Sequence, residues 1–185
     1  MYLSNVGENI LYKNINGQYF EDVTAAYGAE LSGYGTGSAV ADIDNDGDPD
    51  IYTAIYVNGD SKLLINDTEK SSFIKLKLKG VISNKDAIGA KVWLYKKQTN
   101  GMPPVLAGYR EMTCGNSYSP SSAKEIIFGC AEQVDYYALI KFPTTKDTIK
   151  ADNLHAGETL VVKEMEGPKA CFINTGNSIL LFLKS

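Results

Sequence analysis

The sequence predicts an all-β protein: a partial β-propeller-type repeat of about one blade, then an antiparallel β-sandwich or barrel-like domain. Short β-prone stretches recur between glycine and asparagine turn signals, and no long segment keeps a helical period. Strict alternation in Ile74-Lys-Leu76-Lys-Leu78-Lys marks a strand with one apolar face and three lysines on the other, the lysines read as a solvated face. Seventeen glycines and twelve tyrosines in 185 residues also fit a turn-rich β protein better than a helical bundle.

In the first segment, Asn9-Ile-Leu-Tyr-Lys-Asn14 is echoed by Ser61-Lys-Leu-Leu-Ile-Asn66, 52 residues later (61 − 9). Periods of roughly 20–50 residues belong to propellers and solenoids, whose units bury their apolar faces against neighbours. Between the echoes lie four strand candidates: Ile10–Lys13, Tyr19–Val23, Ser38–Ala41 and Ile51–Val57. Asn16-Gly17 and Asn58-Gly59 supply turns. These make about one four-stranded blade, over residues 1–70.

The second module, residues 71–166, offers strands at Ala90–Tyr95, Val105–Thr113, Glu125–Phe128, Tyr136–Phe142 and Thr159–Lys163. Residues 167–185 have no assignment beyond an apolar run, Ser178–Leu183, that reads as a strand. In the loop Ser83–Gly89, Asn84 and Asp86 are read as shaping a turn, with Gly89 in a special backbone conformation.

The formal charge of −4 argues against nucleic acid as a partner, and no run reaches the ~18 apolar residues of a membrane helix. The start lacks the basic and apolar regions of a signal peptide. Cys114, Cys130 and Cys171 cannot all pair within the chain. Whether Cys114 and Cys130 form a bridge stays open.

The strongest chemical signal is Asp42-Ile-Asp44-Asn-Asp46-Gly47-Asp48-Pro-Asp50. Calcium takes about 6–8 oxygen ligands, and acids at alternate positions converge when the chain curls around an ion. Asp42, Asp44, Asp46 and Asp50 are assigned as carboxylate ligands, with Asp48 offering its main-chain carbonyl. Gly47 permits the bend. Without a cation, these carboxylates repel one another. Magnesium demands stricter octahedral geometry. An EF-hand is disfavoured because its twelfth position would be Thr53, not Glu. The expected role of the calcium is structural, pinning a hairpin.

These residues resemble an integrin-type FG-GAP or VCBS repeat. The matching features are Asn9-Ile-Leu-Tyr-Lys-Asn14, Gly17-Gln-Tyr-Phe20, Asp22-Val-Thr24, Gly35-Thr-Gly37, Ala39-Val-Ala-Asp42 and the calcium loop. The remainder resembles the ASPIC/UnbV domain of proteins similar to cartilage acidic protein. That likeness rests on Ile74–Gly80, Ser83–Val92, Gly115–Ser122, Phe128-Gly129, Val134-Asp135 and Asn153–Val162. Phe142 and Thr145 depart from the usual tryptophan and glycine. The resemblance implies an extracellular or cell-envelope protein used in adhesion or protein interaction, with further repeats N-terminal in a longer chain.

No catalysis is expected. His155, the one histidine, lies in Asp152-Asn-Leu-His-Ala-Gly, which reads as a turn. Ser117–Ser122 shows no activating base, and Gly33-Tyr-Gly35-Thr-Gly37 precedes a strand rather than a helix. The expected partner is an extracellular protein or glycan. The alternatives are a carbohydrate-binding module, for which Tyr118, Tyr136 and Tyr137 could line a surface, or an accessory domain of a larger secreted enzyme.

Overall fold

The computed structural model describes residues 1–67, 72–98, 101–115, 122–165, 171–174 and 179–182. The chain divides into two units, each described by itself. The first comprises Met1–Asn45, Pro49–Asp67 and Gly115–Ala123. The second comprises Asp46–Asp48, Thr68–Cys114 and Lys124–Ser185.

The first unit contains β1 (Tyr2–Leu3), β2 (Val6–Glu8), β3 (Ile10–Ile15), β4 (Tyr19–Asp22), β5 (Ser32–Ala41), β6 (Asp50–Ile55) and β7 (Lys62–Leu64), with one 3-10 turn at Ala25–Tyr27. The four strands expected to form one blade do not share a sheet. β3 and β4 pair with β1, while β5 and β6 join β2 and β7 in a four-stranded sheet. Hairpin signals specify neighbours in sequence, but they do not say whether successive hairpins join edge to edge. β5 also begins earlier than expected and takes in Gly33, Gly35 and Gly37. Beside it, the Ala123 N–H donates to the Val40 carbonyl (2.9 Å), and the Val40 N–H donates to Ser122 Oγ (3.3 Å). A piece of the later chain thus bonds to β5.

The second unit contains β8 (Phe73–Lys79), β9 (Lys91–Lys96), β10 (Val105–Glu111), β11 (Ile126–Gly129), β12 (Tyr136–Lys141), β13 (Thr148–Leu154), β14 (Glu158–Lys163), β15 (Cys171–Asn174) and β16 (Ile179–Phe182). One sheet has the order β10-β9-β12-β13 and a second β11-β8-β14, with β15 and β16 as a hairpin. Alternate residues of both larger sheets meet in a single core: Ile74, Leu76, Val92, Leu94, Ala138, Ile140, Ala151, Leu160 and Val162 are each fully buried. This is a sandwich, not a closed barrel. Cys114 and Cys130 are free thiols, and burial pushes the Cys130 thiol up from its ordinary pKa.

Three readings of this unit change. β14 runs parallel to β8, whereas the other strand pairs in the described sheets are antiparallel. Alternation is the same whichever way a strand runs, so direction was not legible. Lys75 is not solvated: it is 1% exposed, with Nζ 5.6 Å from the centre of the Phe73 ring. It lies on the middle strand of its sheet, paired with Ile127 on one side and Thr159 on the other, a position alternation alone does not reveal. Asp152, Asn153 and Leu154, read as turn residues, close β13, a strand not expected from the sequence; only the segment after Leu154 turns.

Where β14 ends, the chain after β8 wraps around Glu164. Its side chain is buried, and Oε2 accepts the N–H groups of Val81 (2.8 Å), Ile82 (2.9 Å) and Ser83 (2.6 Å). Oε1 accepts the Ser83 hydroxyl (2.6 Å). The loop beyond is closed by Asn84, whose Oδ1 accepts the Ile88 N–H (2.8 Å) and whose Nδ2 donates to the Ile88 carbonyl (2.9 Å). Gly89 takes φ +88°, a conformation L side chains rarely adopt. The turn reading of Ser83–Gly89 therefore holds for Asn84 and Gly89.

Burial by itself raises the Glu164 pKa, but the hydrogen bonds from Ser83, Val81 and Ile82 outweigh it and hold the group below the usual glutamate value. A depressed pKa contributes stability above the unfolded-state value, about 4.3, and that stability is lost as pH falls through the folded value. Glu164→Gln should therefore unfold more easily at neutral pH, by about 2 kcal/mol. Its deficit against the parent should shrink below about pH 4, as denaturant melts across pH will show.

Candidate metal centre

β5 and β6 form an antiparallel hairpin whose register pairs Ala41 with Asp50. The strand ends therefore place Asp42 and Asp50 side by side, and the loop between them must curl back. Asn45 at φ 64° and Gly47 at φ 100° supply the reversal. At Gly47 space forbids a side chain too, since a Cβ would fall 1.8 Å from Cδ1 of Phe73.

Oxygens of Asp42, Asp44 and Asp50 lie within 4.8 Å of one another. Asp42 and Asp50 are buried and Asp44 is exposed. Asp50 is held by the main chain: Oδ2 accepts the Ile43 N–H (2.8 Å) and Oδ1 accepts the Asn66 N–H (2.9 Å). Of the five aspartates predicted from the sequence, the structure gathers these three. Asp46 and Asp48 fall in the second unit, where Oδ1 of Asp46 accepts the Asp48 N–H (2.8 Å) and closes the loop tip. For Asp48, which is buried, only a main-chain contribution was expected.

The donor set fits calcium. Ligands about 2.3–2.6 Å from one ion stand at most about 5 Å apart, so the spacing of the three aspartates matches a shared hard cation. Three like charges so close repel by about 3 kcal/mol per pair at an effective dielectric near 20, which a divalent ion would reverse. Asp42, Asp44 and Asp50 would hold the ion, and the ion would tie the two strand ends together.

A second polar cluster was not anticipated. Asp152 accepts from Lys150 Nζ (2.8 Å) and pairs with Lys97, whose Nζ also reaches Asn153 Oδ1 (2.7 Å). Burial opposes ionisation, but hydrogen bonds from Lys150, Lys97 and the Asn153 N–H bring Asp152 down to about 2. Lys150 Nζ also sits 4.7 Å over the Tyr137 ring. The signal lay in strand register, which brings together residues that sequence spacing separates. His155 is exposed, with Nε2 3.2 Å from Asp135 Oδ1 and Nδ1 3.4 Å from Glu158 Oε1. Of the tyrosines weighed as a glycan surface, Tyr136 is buried in the core and Tyr137 lies on the outer sheet face. Tyr118 falls outside the described residues, as do Ser117–Ser121.

Among known families, an FG-GAP-like repeat matches residues 1–53, and the ASPIC and UnbV family matches residues 80–169. A search of curated proteins found no match. FG-GAP repeats are typical of extracellular proteins, and among the described residues no helix is long and apolar enough to cross a membrane. Together the two matches suggest an extracellular protein-interaction module. The chain thus carries an FG-GAP-like, propeller-type repeat over residues 1–53, followed by an ASPIC and UnbV domain over residues 80–169.

Proposed function

We propose that this protein is a calcium-stabilised, non-enzymatic module for adhesion or protein interaction, acting outside the cytosol after secretion. The observation that carries the reading is the convergence of Asp42, Asp44 and Asp50 at the closed end of one hairpin. Two of the three are buried, so the ion would be part of the fold rather than a surface guest. Its work would be to hold β5 against β6.

The surface of the first unit supports a binding role. Tyr52 (45% exposed) and Leu63 (44%) face each other across β6 and β7, and Tyr56 is 78% exposed. Apolar groups grouped this way mark surfaces that other protein covers. In our reading that cover is further repeats of the same kind or an extracellular partner protein.

Calcium that binds only the native state must raise its stability. Millimolar calcium at about 100 times the dissociation constant should add about 2.7 kcal/mol over chelator. For a chain of this size that is an upward shift in Tm of about 5–10 °C. Differential scanning fluorimetry with and without chelator reads this directly. Asp44→Ala should abolish the shift, whereas equal melting in calcium and chelator for the parent would sink the proposal.

The same measurement separates ligand from scaffold. Asp44 is exposed, so its removal should change stability in chelator by no more than about 0.5 kcal/mol. Asp50→Ala leaves the Ile43 and Asn66 N–H groups without their acceptor and should cost about 2–3 kcal/mol even without calcium.

A further inference from the structure

The outer face of the four-stranded sheet in the second unit is aromatic. On β9, Val92 and Leu94 point into the core, so Trp93 and Tyr95 point outward. Register sets Tyr109 of β10 beside Trp93, and Tyr137 of β12 beside Tyr95. The Trp93 and Tyr109 rings lie 5.5 Å apart, tilted by 43°, and the Tyr95 and Tyr137 rings stack at 5.0 Å. Cross-strand aromatic pairs stabilise any sheet, and Tyr137, held between Tyr95 and Lys150, serves that purpose. The Trp93–Tyr109 pair is different: it stands at the open side, with Tyr109 41% exposed on an edge strand.

At the end of β9 lies an open groove of about 580 Å³, its wall including Lys96, Lys97, Gln98, Met102, Gln133 and Asp135. Lys97 continues the outward alternation of Trp93 and Tyr95, and its N–H donates to the Asp135 carbonyl (2.8 Å). The charges here balance: Lys97 pairs with Asp152, and the groove wall sets Lys96 against Asp135. A polyanion finds no surplus of positive charge in these pairs, and a purely apolar ligand would strand the amides and carboxylates. A saccharide offers both C–H faces for rings and hydroxyls for polar side chains. From Trp93 to Lys97 the strand rises about 13 Å, room for more than one sugar ring.

We propose that this face binds a neutral oligosaccharide, with sugar rings against Trp93 and Tyr109 and hydroxyls bonded to the groove around Gln133 and Asp135. The proposal does not rest on the calcium reading. Its readout is a bound-state fluorescence change, whereas calcium is read by unfolding, so either can fail alone.

Trp93 is the single tryptophan in the chain, so its emission reports on the site without labelling. The full chain, in calcium buffer, would be titrated with cellohexaose, xylohexaose, mannohexaose and chitohexaose. At least one should change the emission saturably. Tyr109→Ala should weaken that binding tenfold or more, Asp135→Asn severalfold, and Tyr109→Phe should restore it. Tyr109 lies outside the core, so Tyr109→Ala should melt within a few degrees of the parent, which separates lost binding from lost fold. No response to any of the four sugars, or a response that Tyr109→Ala leaves intact, would overturn the proposal. So would a response confined to dextran sulfate and removed by salt, since the lysines would then be capturing a polyanion.

Discussion

The burial of one apolar stripe organises the second unit. Ile74, Leu76 and Leu78 lie along β8, the middle strand of its sheet, and are at most 4% exposed. Everything else in the sandwich must face that stripe: Val92 and Leu94 from β9, Ala138 and Ile140 from β12, Leu160 and Val162 from β14. Removing such side chains from water contributes about 1.5–3 kcal/mol each, enough to draw β14 to β8 across more than eighty residues of sequence. Once β14 lies there, Glu164 arrives beside the chain leaving β8, and the Val81–Ser83 turn closes on its carboxylate.

The first unit has no comparable stripe. Among its described residues, the buried apolar side chains are Ala29 and Leu31. Its buried groups are in large part polar: Asn9, Asp42, Asp50 and Thr53. They are tied by directional bonds, such as Asn9 Oδ1 to the Asn5 N–H (2.9 Å) and Asp50 to the Ile43 and Asn66 N–H groups. A unit with so little apolar burial gains the most from a cation that bridges its strand ends, and from protein that covers Tyr52 and Leu63. The proposed metal and the proposed partner would then answer the same deficit in hydrophobic stabilisation.

The acidic loop illustrates how local and non-local requirements combine. Alternating aspartates and Gly47 are written in sequence, and they are the pattern on which the proposed cation site rests. Which of them meet is a matter of hairpin register. Asp42 and Asp50 meet because Ala41 pairs with Asp50, while Asp46 and Asp48 turn to close the tip.

The sequence alone determined the all-β class, the stripe on β8, the two family resemblances, the turn at Asn84 and Gly89, and the position of the acidic loop. Each is a short-range pattern, because side-chain alternation and turn chemistry act over a few residues. Tertiary structure alone decided the split of the expected blade into two sheets, the parallel entry of β14, the burial of Lys75 and the formation of β13 over Thr148–Leu154. It also aligned Trp93 with Tyr109 and Tyr95 with Tyr137. These depend on which strands become neighbours, and that is fixed by the burial of apolar area summed over the whole unit, a quantity no local window of sequence contains.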